Sequence, residues 1–405
     1  MSFGIALSGI SAAQSDLNVT ANNIANAETT GFKQSRTEFA ELFAVSSQGV
    51  SRTQTGAGVK IAAVAQQFSQ GNVVATNSSL DLAISGQGFF TLHDNGAAVY
   101  TRAGSFGTDK SGYVVNSEAQ RLQVYVPSPG GGFNTTAPQD LRLVTTDSAP
   151  QATSNLNVVF NLPADAPVPT VTPLDPSVGA SFNHSTSMTV FDSLGAAHTS
   201  SLYFVKGAAP NAWTAQLYVD GNAVGTPQAL TYSNGGQLTA PAGGAIAFPA
   251  YTPTTGAAPM NLNLDVSATT QYGSTFGVNS VSQDGFTTGR LIGINVDPTG
   301  IVQARFTNGR SLPLGQIAIA NFPNPQGLQA LGNTNWTETF SSGQALNGQA
   351  GNSGFGLIQS GALEQSNVDI TAQLVNMITA QRSFQANAQM IQTQDQITQT
   401  VINIR

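Results

Sequence analysis

Apolar residues near both ends of the chain recur every seven positions, whereas the segment between them has no such period. The repeat near the start, with its offset member, consists of Phe3, Leu7, Ile10, Leu17 and Ile24. The repeat near the end, with its offset members, consists of Ile370, Leu374, Met377, Phe384, Ile391 and Ile402. Because this spacing places the side chains on one side of a helix, each set is typical of a seam that packs against another helix. We predict one helix from Phe3 to about Ala27 and a second from Ile370 to Arg405, pairing as a coiled coil.

The second helix also carries a start signal. Ser366 and Asp369 have the spacing of a capping box directly before the stripe. With so narrow a seam, we expect both helices to be ordered only when they pack on each other and on neighbouring molecules. The two stripes together therefore predict a self-assembly seam.

Between the helices the sequence reads as strands and turns. Alternating residues after Leu80 and again around Tyr113 and Leu122 predict strands. The pairs Asp220-Gly221 and Asn308-Gly309 predict hairpin turns with positive φ at both residues. Residues 297–300 predict a type I turn. Two Pro-rich stretches, over residues 163–176 and 241–259, indicate domain edges or surface loops.

These signals predict a mainly β body of two β-rich, sandwich-like or barrel-like domains, the outer one inserted in the inner one, with helices at both ends. The predicted domains are a terminal helical assembly domain at 1–33 and 362–405, a connecting segment at 34–79, an inner β domain at 80–146 and 284–361, and an outer β domain at 147–283.

Composition narrows the choice of partners. Only 9% of the residues are charged, against about 25% in an average globular protein. The net charge is −7 and the few basic residues form no stripe, which argues against nucleic acid or an anionic membrane as a partner. The sequence contains no apolar run long enough to predict a membrane span. Its first residues lack the pattern of a cleaved signal peptide.

The sequence shows no recognisable chemistry. The chain has no cysteine, and His93, His184 and His198 lie in no metal-binding motif, so we predict no metal, cofactor or catalytic residue. Two rival classes stay open at this point. A secreted polysaccharide-cleaving enzyme would need two carboxylates in one cleft, and a β-rich adhesin would act as a monomer.

Both ends resemble a known family. Residues 7–13, 22–26 and 30–33 resemble the N-terminal signature of the bacterial flagellar rod, hook and hook-associated proteins, and residues 361–369 resemble their C-terminal signature. The signature residues are Asn22, Asn23, Ile24, Asn26, Gly31, Phe32, Ser366, Asn367 and Asp369. Residues 182–195 resemble the outer domain of the hook branch of this family. Gln373 stands where the family often has an acid, and Phe384 where it often has Tyr.

The resemblance implies a structural subunit and no enzyme. Such a subunit polymerises into a curved, flexible helical tube outside the cell, which couples rod to filament and encloses an export channel. Its implied partners are further copies of itself, the rod and hook–filament junction proteins, the hook cap and the flagellar type III export apparatus. A distal-rod or junction protein of the same family is the nearest alternative.

Overall fold

A β-rich body lies between two terminal helices, which confirms the predicted fold class. The computed structural model describes residues 2–42, 56–143 and 146–403. Helix α1 spans Ser2–Ala25 and helix α2 spans Ile370–Asn403. Neither is apolar enough over a sufficient length to cross a membrane.

The strands of the described residues are numbered in chain order. The first ten are β1 (Ser35–Leu42), β2 (Gly58–Gln66), β3 (Val73–Ala75), β4 (Leu82–Ser85), β5 (Phe89–Asp94), β6 (Ala97–Thr101), β7 (Gly107–Thr108), β8 (Val114–Val115), β9 (Arg121–Tyr125) and β10 (Gln139–Asp140). The next ten are β11 (Asn155–Pro163), β12 (His184–Phe191), β13 (Ala197–Lys206), β14 (Ala212–Val219), β15 (Asn222–Tyr232), β16 (Leu238–Ala240), β17 (Ala245–Ala247), β18 (Asn263–Asp265), β19 (Thr270–Tyr272) and β20 (Gly277–Gln283). The last eight are β21 (Leu291–Val296), β22 (Ile301–Phe306), β23 (Ser311–Asn321), β24 (Gln329–Gly332), β25 (Asn335–Thr337), β26 (Leu346–Gln349), β27 (Leu357–Ser360) and β28 (Ala362–Glu364).

The chain divides into two compact units. Unit 1 comprises Met1–Thr145, Gly293–Arg305 and Ser311–Arg405, and unit 2 comprises Thr146–Ile292 and Phe306–Arg310. The predicted outer domain falls inside unit 2, which also takes in residues 284–292. The predicted helical and connecting domains belong to unit 1. So does the predicted inner domain, apart from residues 146, 284–292 and 306–310, which belong to unit 2. The separate bounds of these three domains stay a prediction.

Unit 2 contains two five-stranded sheets that share one core. One sheet has the order β12-β13-β14-β15-β16, and the other has β17-β18-β11-β19 with β20 on the opposite edge of β11. Alternate residues of β11 point inward, which is the two-residue period expected of a strand with one buried face. Among them, Phe160 packs on Phe204 with ring centroids 4.4 Å apart, beside the buried Trp213.

Unit 1 is organised around a twelve-stranded sheet. Its main path is β21-β22-β23-β9-β5-β6-β25-β24. The central strands β5 and β23 have runs of four and six consecutive buried residues, as strands covered on both faces do. Thr91 and Gln316 are the polar residues in these runs. Phe90, Leu92, Ile317 and Ile319 are completely buried there.

The predicted turns are met in part. Asp220 and Gly221 both have positive φ, at 49° and 79°, as predicted. The prediction is wrong at Asn308, because only Gly309 of that pair has positive φ. Residues 297–300 form the predicted turn, closed by the N–H of Gly300 donating to the carbonyl of Asp297 at 2.9 Å.

A hairpin of β1 and β2 lies in the segment for which the sequence shows no period. The two strands pair antiparallel with a bulge between Glu38 and Phe39. No residue of β2 is buried, so its sequence lacks the alternation by which strands are recognised. The hairpin packs on α1, where the hydroxyl of Ser8 accepts a hydrogen bond from the N–H of Val59.

Three charged side chains are buried together where both chain ends enter the body of unit 1. We call Lys33, Arg102 and Glu364 the buried triad. Nζ of Lys33 lies 2.5 Å from Oε1 of Glu364, and Nη1 of Arg102 lies 3.2 Å from Oε2. The exposed fractions of the three side chains are 0%, 5% and 0%. The carboxylate of Glu364, at the end of β28, therefore binds two cations: Lys33, from the segment between α1 and β1, and Arg102, from the segment after β6.

Backbone groups meet part of the triad's remaining hydrogen-bonding capacity, whereas Nε of Arg102 is buried without a hydrogen-bond partner. Lys33 also donates to the carbonyl of Ser69 at 2.7 Å, and Arg102 to that of Gly86 at 2.8 Å. Glu364 accepts a further bond from the N–H of Gly71. Burial lowers the pKa of the Lys33 ammonium, while Glu364 opposes that effect. Because two cations share one anion, loss of the carboxylate leaves two buried positive charges without a counter-ion.

His198 in unit 2 lies between two aspartates, which its sequence neighbourhood does not indicate. Its Nδ1 is 2.5 Å from Oδ2 of Asp220 and its Nε2 is 3.2 Å from Oδ2 of Asp192. Asp192 also accepts a bond from the hydroxyl of Thr255. Since a neutral imidazole has one N–H, donation to both carboxylates requires the imidazolium. Burial lowers the pKa of His198, but the bonds to the aspartates outweigh it and hold the pKa above 6.5.

We expect Glu364→Gln to lower the free energy of unfolding of unit 1 by about 3–5 kcal/mol, because removing one partner of a buried ion pair strands the other charges. Denaturant titration of the purified chain measures this. Glu38→Gln is the matched control, since Glu38 pairs with Arg36 on the surface and should change stability little. Equal effects of the two substitutions would show that the triad does not stabilise the fold.

We expect unit 2 to lose stability at alkaline pH, because His198 then loses the proton with which it stabilises the fold. A raised histidine pKa stabilises the fold fully below the unfolded value near 6.5, and this contribution is lost as the pH rises through the folded-state pKa. Thermal unfolding between pH 6.5 and 9 should therefore show a falling transition that is flattened in His198→Gln. In the control His184→Gln the fall should persist, because burial lowers the pKa of His184. An unchanged slope in His198→Gln would contradict the assignment.

Candidate self-assembly surface

The two terminal helices pack side by side in opposite directions. Gly9 of α1 meets Asn387 of α2, where a Cβ on the glycine would lie 2.6 Å from the amide oxygen. About four turns further along, the side-chain amide of Asn23 donates to Oε1 of Gln373 at 3.2 Å. Residue numbers rise on α1 as they fall on α2 by the same amount, so the pairing is antiparallel over this length. The predicted pairing of the helices is confirmed.

Small residues lie at the centre of this contact. On α1 the buried residues Ala6, Ala13 and Thr20 recur at a seven-residue step. On α2 Gln373 and Ala380 have the same step and are also buried. Small side chains allow the two helix axes to approach closely, and a Cβ on Gly9 would displace the side-chain amide of Asn387. The centre of the pair therefore contributes close packing rather than burial of large apolar side chains.

The residues of the predicted seam lie beside this centre and keep much of their surface accessible. Ile10, Leu17, Ile24, Met377, Phe384 and Ile391 are half-buried. Phe3, Leu7, Ile370, Leu374 and Ile402 are exposed, between 46% and 66%. Their seven-residue step is the one predicted, but it marks the flanks of the helix pair and not its middle. Whether these flanks bind other copies stays a prediction at this point.

The N-terminal signature residues lie at the end of α1, where Asn23 joins the helix to β1 and Asn26 bonds locally. Asn23 is buried and exchanges two hydrogen bonds with the backbone of Ser35, at 2.8 and 2.9 Å. Asn26 donates to the carbonyl of Asn22 and accepts from Thr29. Ile24 is half-buried, as noted above.

Gly31 and Phe32 complete the turn that follows α1. Gly31 has a φ of 71°, and a Cβ there would lie 2.5 Å from the backbone nitrogen of Ala103. Its N–H donates to the carbonyl of Glu364 at 2.8 Å. Phe32 is half-buried in the same turn. The glycine is therefore required for the close approach that brings Lys33 to the triad.

The C-terminal signature residues do the same for α2. Asp369 caps the helix, because its Oδ1 accepts the N–H groups of Thr371 and Ala372. The predicted capping box is wrong in one respect: Ser366 is buried and accepts from Val368 instead of closing a box. Asn367 accepts from the N–H of Gln34 and donates to the segment that precedes β3.

Charge is scarce on the helix pair. Within Ser2–Ala25 and Ile370–Asn403 the charged residues are Asp16, Arg382 and Asp395. At position 373, where related proteins often have an acidic residue, this chain has Gln373, whose side chain bonds to those of Asn23 and Gln34. In the described part of the chain no group of three His, Asp or Glu side chains is placed to hold a metal ion. What the surface offers is apolar area with short polar side chains.

Four family models match successive parts of the chain. They are a flagella basal body rod protein model over residues 3–33, a flagellar hook protein FlgE/F/G D1 domain over 83–152, a flagellar basal body protein FlaE D2 domain over 161–286, and a flagellar basal body rod FlgEFG C-terminal model over 359–404. None of these four describes an enzyme.

Similar proteins extend over the whole length. The flagellar hook protein FlgE of Escherichia coli (strain K12) is 39% identical over 100% of both chains. The hook proteins of Salmonella typhimurium and Borreliella burgdorferi are 37% and 31% identical, over 100% and 98% of both chains respectively.

A solved structure shares the fold. The crystal structure of Helicobacter pylori flagellar hook protein FlgE2 matches with a TM-score of 0.54 at 14% identity, over 72% of this chain and 100% of that one. With relatives this similar over its full length, the chain belongs to the flagellar hook protein family and is a structural component of the bacterial flagellum.

Proposed function

We propose that this chain is the subunit of the flagellar hook that polymerises into a curved, flexible helical tube. The tube couples the rod to the filament, and the terminal helices line a channel through which other flagellar proteins are exported. The helices with residues 1–33 and 362–405 form the innermost layer, and the β domains lie further out. The protein works through its interfaces and has no catalytic site.

The half-exposed flanks of the helix pair carry this proposal. Large apolar residues on both helices remain accessible although α1 and α2 already pack together: Leu7 and Ile378 are each 50% exposed and Leu374 is 46% exposed. Completing the burial of one such side chain is worth up to about 1.5–3 kcal/mol. A monomer leaves these side chains in water and does not gain this free energy. Neighbouring copies that cover the flanks would gain it in every subunit.

Low charge suits an interface that changes during rotation. A bent tube that turns about its own axis must stretch and compress contacts between subunits. Exposed ion pairs are weak, but they prefer one geometry. With three charges on the helix pair, contacts of small polar and apolar side chains can shift at little cost in free energy.

Place and partners follow from this role. The hook lies outside the cell, and the subunit reaches it through the flagellar type III export apparatus without a cleaved signal peptide. A hook cap covers the growing end, and rod and hook–filament junction proteins adjoin the finished tube. A chain without cysteine cannot form a disulfide that would hinder export in an unfolded state.

Two alternatives are disfavoured by specific observations. A distal-rod or junction protein of the same family would not be expected to match hook proteins over 100% of both chains. A β-rich adhesin or a secreted enzyme needs no paired terminal helices with exposed apolar flanks. Electron microscopy of the purified chain at high concentration separates a tube former from a monomeric adhesin.

Two aspartate substitutions on α2 separate contacts within a chain from contacts between chains. Leu374→Asp places a charge on an exposed flank, so the melting temperature of the monomer should change little while polymerisation is abolished. A carboxylate buried at every copy costs several kcal/mol. Met377→Asp lies on the half-buried side and should also weaken the packing of α2 on α1. Circular dichroism and sedimentation measure the two effects, and normal polymer yield from Leu374→Asp would refute the assembly surface.

Truncation tests whether the helices serve assembly alone. A chain of residues 31–365 keeps Lys33, Arg102 and Glu364 and should remain a folded, β-rich monomer that forms no tubes. A chain of residues 34–363 loses two members of the triad and leaves Arg102 buried without its partner, so it should unfold at a lower denaturant concentration. Tubes formed by residues 31–365, or equal stability of the two truncated chains, would contradict the account.

A further inference from the structure

A hairpin turn in unit 1 places an imidazole against a backbone amide. Asn95 and Gly96 form the two-residue turn between β5 and β6, and both have positive φ, at 48° and 96°. The N–H of Gly96 donates to Nε2 of His93 at 3.0 Å. Because an imidazole nitrogen accepts a hydrogen bond only when it carries no proton, this contact requires a neutral His93 with its proton on Nδ1.

Asp140 of β10 fixes that tautomer. Nδ1 of His93 lies 2.9 Å from Oδ1 of Asp140, so the ring donates its proton there. The carboxylate is itself held by the guanidinium of Arg121, at 2.9 Å, and by the side-chain amide of Gln123. Burial raises the pKa of Asp140, but the hydrogen bonds from Arg121 and His93 outweigh this effect and keep the pKa below its ordinary value of 3.8. A carboxylate that orients an imidazole beside a weak nucleophile is the arrangement by which enzymes make such a nucleophile reactive.

The residue before the amide carries the group that can be attacked. The side-chain carbonyl carbon of Asn95 forms a five-membered ring when it bonds to the backbone nitrogen of Gly96. The side-chain amide of Asn95 donates to Oδ1 of Asp94 at 2.8 Å. Both turn residues are exposed, and a Cβ on Gly96 would have no described atom within 4 Å outside the glycine and its two chain neighbours. The turn therefore has room for the rotation that ring closure needs, and water has access to it.

We propose that Asn95 is a self-modification site, at which His93 is the general base for loss of the side-chain amide. The imidazole takes the proton from the nitrogen of Gly96 as this nitrogen bonds to the side-chain carbonyl carbon of Asn95. It then gives the proton to the departing amide, which leaves as ammonia, and the product is a succinimide. Water opens that ring at either carbonyl and leaves an aspartate or an isoaspartate. Each chain reacts once, so this is not enzymatic turnover, and the reaction does not depend on tube formation.

Three further Asn-Gly pairs, at 234–235, 308–309 and 347–348, serve as comparisons within the same chain. The first lies in an exposed turn. In the second, the N–H of Gly309 donates to the carbonyl of Phe306 at 3.0 Å, and a backbone carbonyl is too weak a base to remove an amide proton. Neither of these turns contains a histidine. The third pair lies inside β26, which pairs with β23. The geometry at His93 therefore distinguishes Asn95 from three pairs of the same sequence.

Incubation of the purified, folded chain, followed by mass spectrometry of its peptides, measures amide loss at all of these sites in one sample. We expect Asn95 to react at least about tenfold faster than Asn234 and Asn308, which is less than general-base catalysis typically supplies. The variant His93→Gln keeps an oxygen that can accept the N–H of Gly96 but removes the base. It should lower the rate at Asn95 to that of the other two sites, while thermal unfolding changes little.

Variants of Asp140 test whether this residue positions the imidazole. In Asp140→Asn the amide can donate to Nδ1 of His93, which favours the tautomer with the proton on Nε2, so the reaction should slow. Asp140→Glu retains a carboxylate and should recover part of the rate.

Unfolding the chain in denaturant is the control for the effect of sequence alone, because the contact between His93 and Gly96 is then lost. The rates at Asn95, Asn234 and Asn308 should become similar. Equal rates at these three sites in the folded chain, an unchanged rate in His93→Gln or Asp140→Asn, or a difference between the sites that persists in denaturant would each overturn the proposal.

Discussion

The carboxylate of Glu364 joins the two ends of the chain to the body between them. Lys33 follows the first helix, Glu364 precedes the second by six residues, and Arg102 belongs to the twelve-stranded unit. Because all three are buried, separating them would expose or strand charge inside the protein. The helix pair thus does not depend on its own weak seam alone. The ends of the helices nearest the β-rich body are fixed by an ion pair that is costly to break. Its members Lys33 and Glu364 lie close in sequence to α1 and α2 respectively.

Several signature residues shape the backbone around the buried triad. Asn23, Gly31 and Asn367 bond to neighbouring backbone or allow it to approach, and each lies within a few residues of a helix end. They direct the chain into and out of the triad, whereas the apolar residues further along the helices remain accessible. Because the helices are fixed to the body at these ends, every copy presents its exposed apolar flanks in the same position. A subunit that must make the same contacts in every copy needs both features.

Much of this architecture could be predicted from the sequence, for reasons that particular residues make clear. A seven-residue step marks a helix whatever its partner is, so α1 and α2 were found within a few residues. Buried strands such as β5 are apolar runs and are equally visible. The centre of the helix pair was not predicted, because alanine, threonine and glycine carry little hydrophobic signal and the larger Ile10 and Leu17 dominate the pattern. The hairpin of β1 and β2 was missed because none of β2 is buried. The triad joins residues far apart in sequence, and the His198 cluster joins residues of separate strands and turns, which spacing alone cannot bring together.

Electron cryomicroscopy of tubes assembled from the purified chain, at a resolution that shows side chains, is the most direct test of the central claim. We expect helices of neighbouring copies to cover Ile10, Leu17, Leu374 and Ile378. We expect Lys33, Arg102 and Glu364 to remain together in each copy. Tubes in which these four apolar residues still face solvent, or in which the triad is separated, would contradict it.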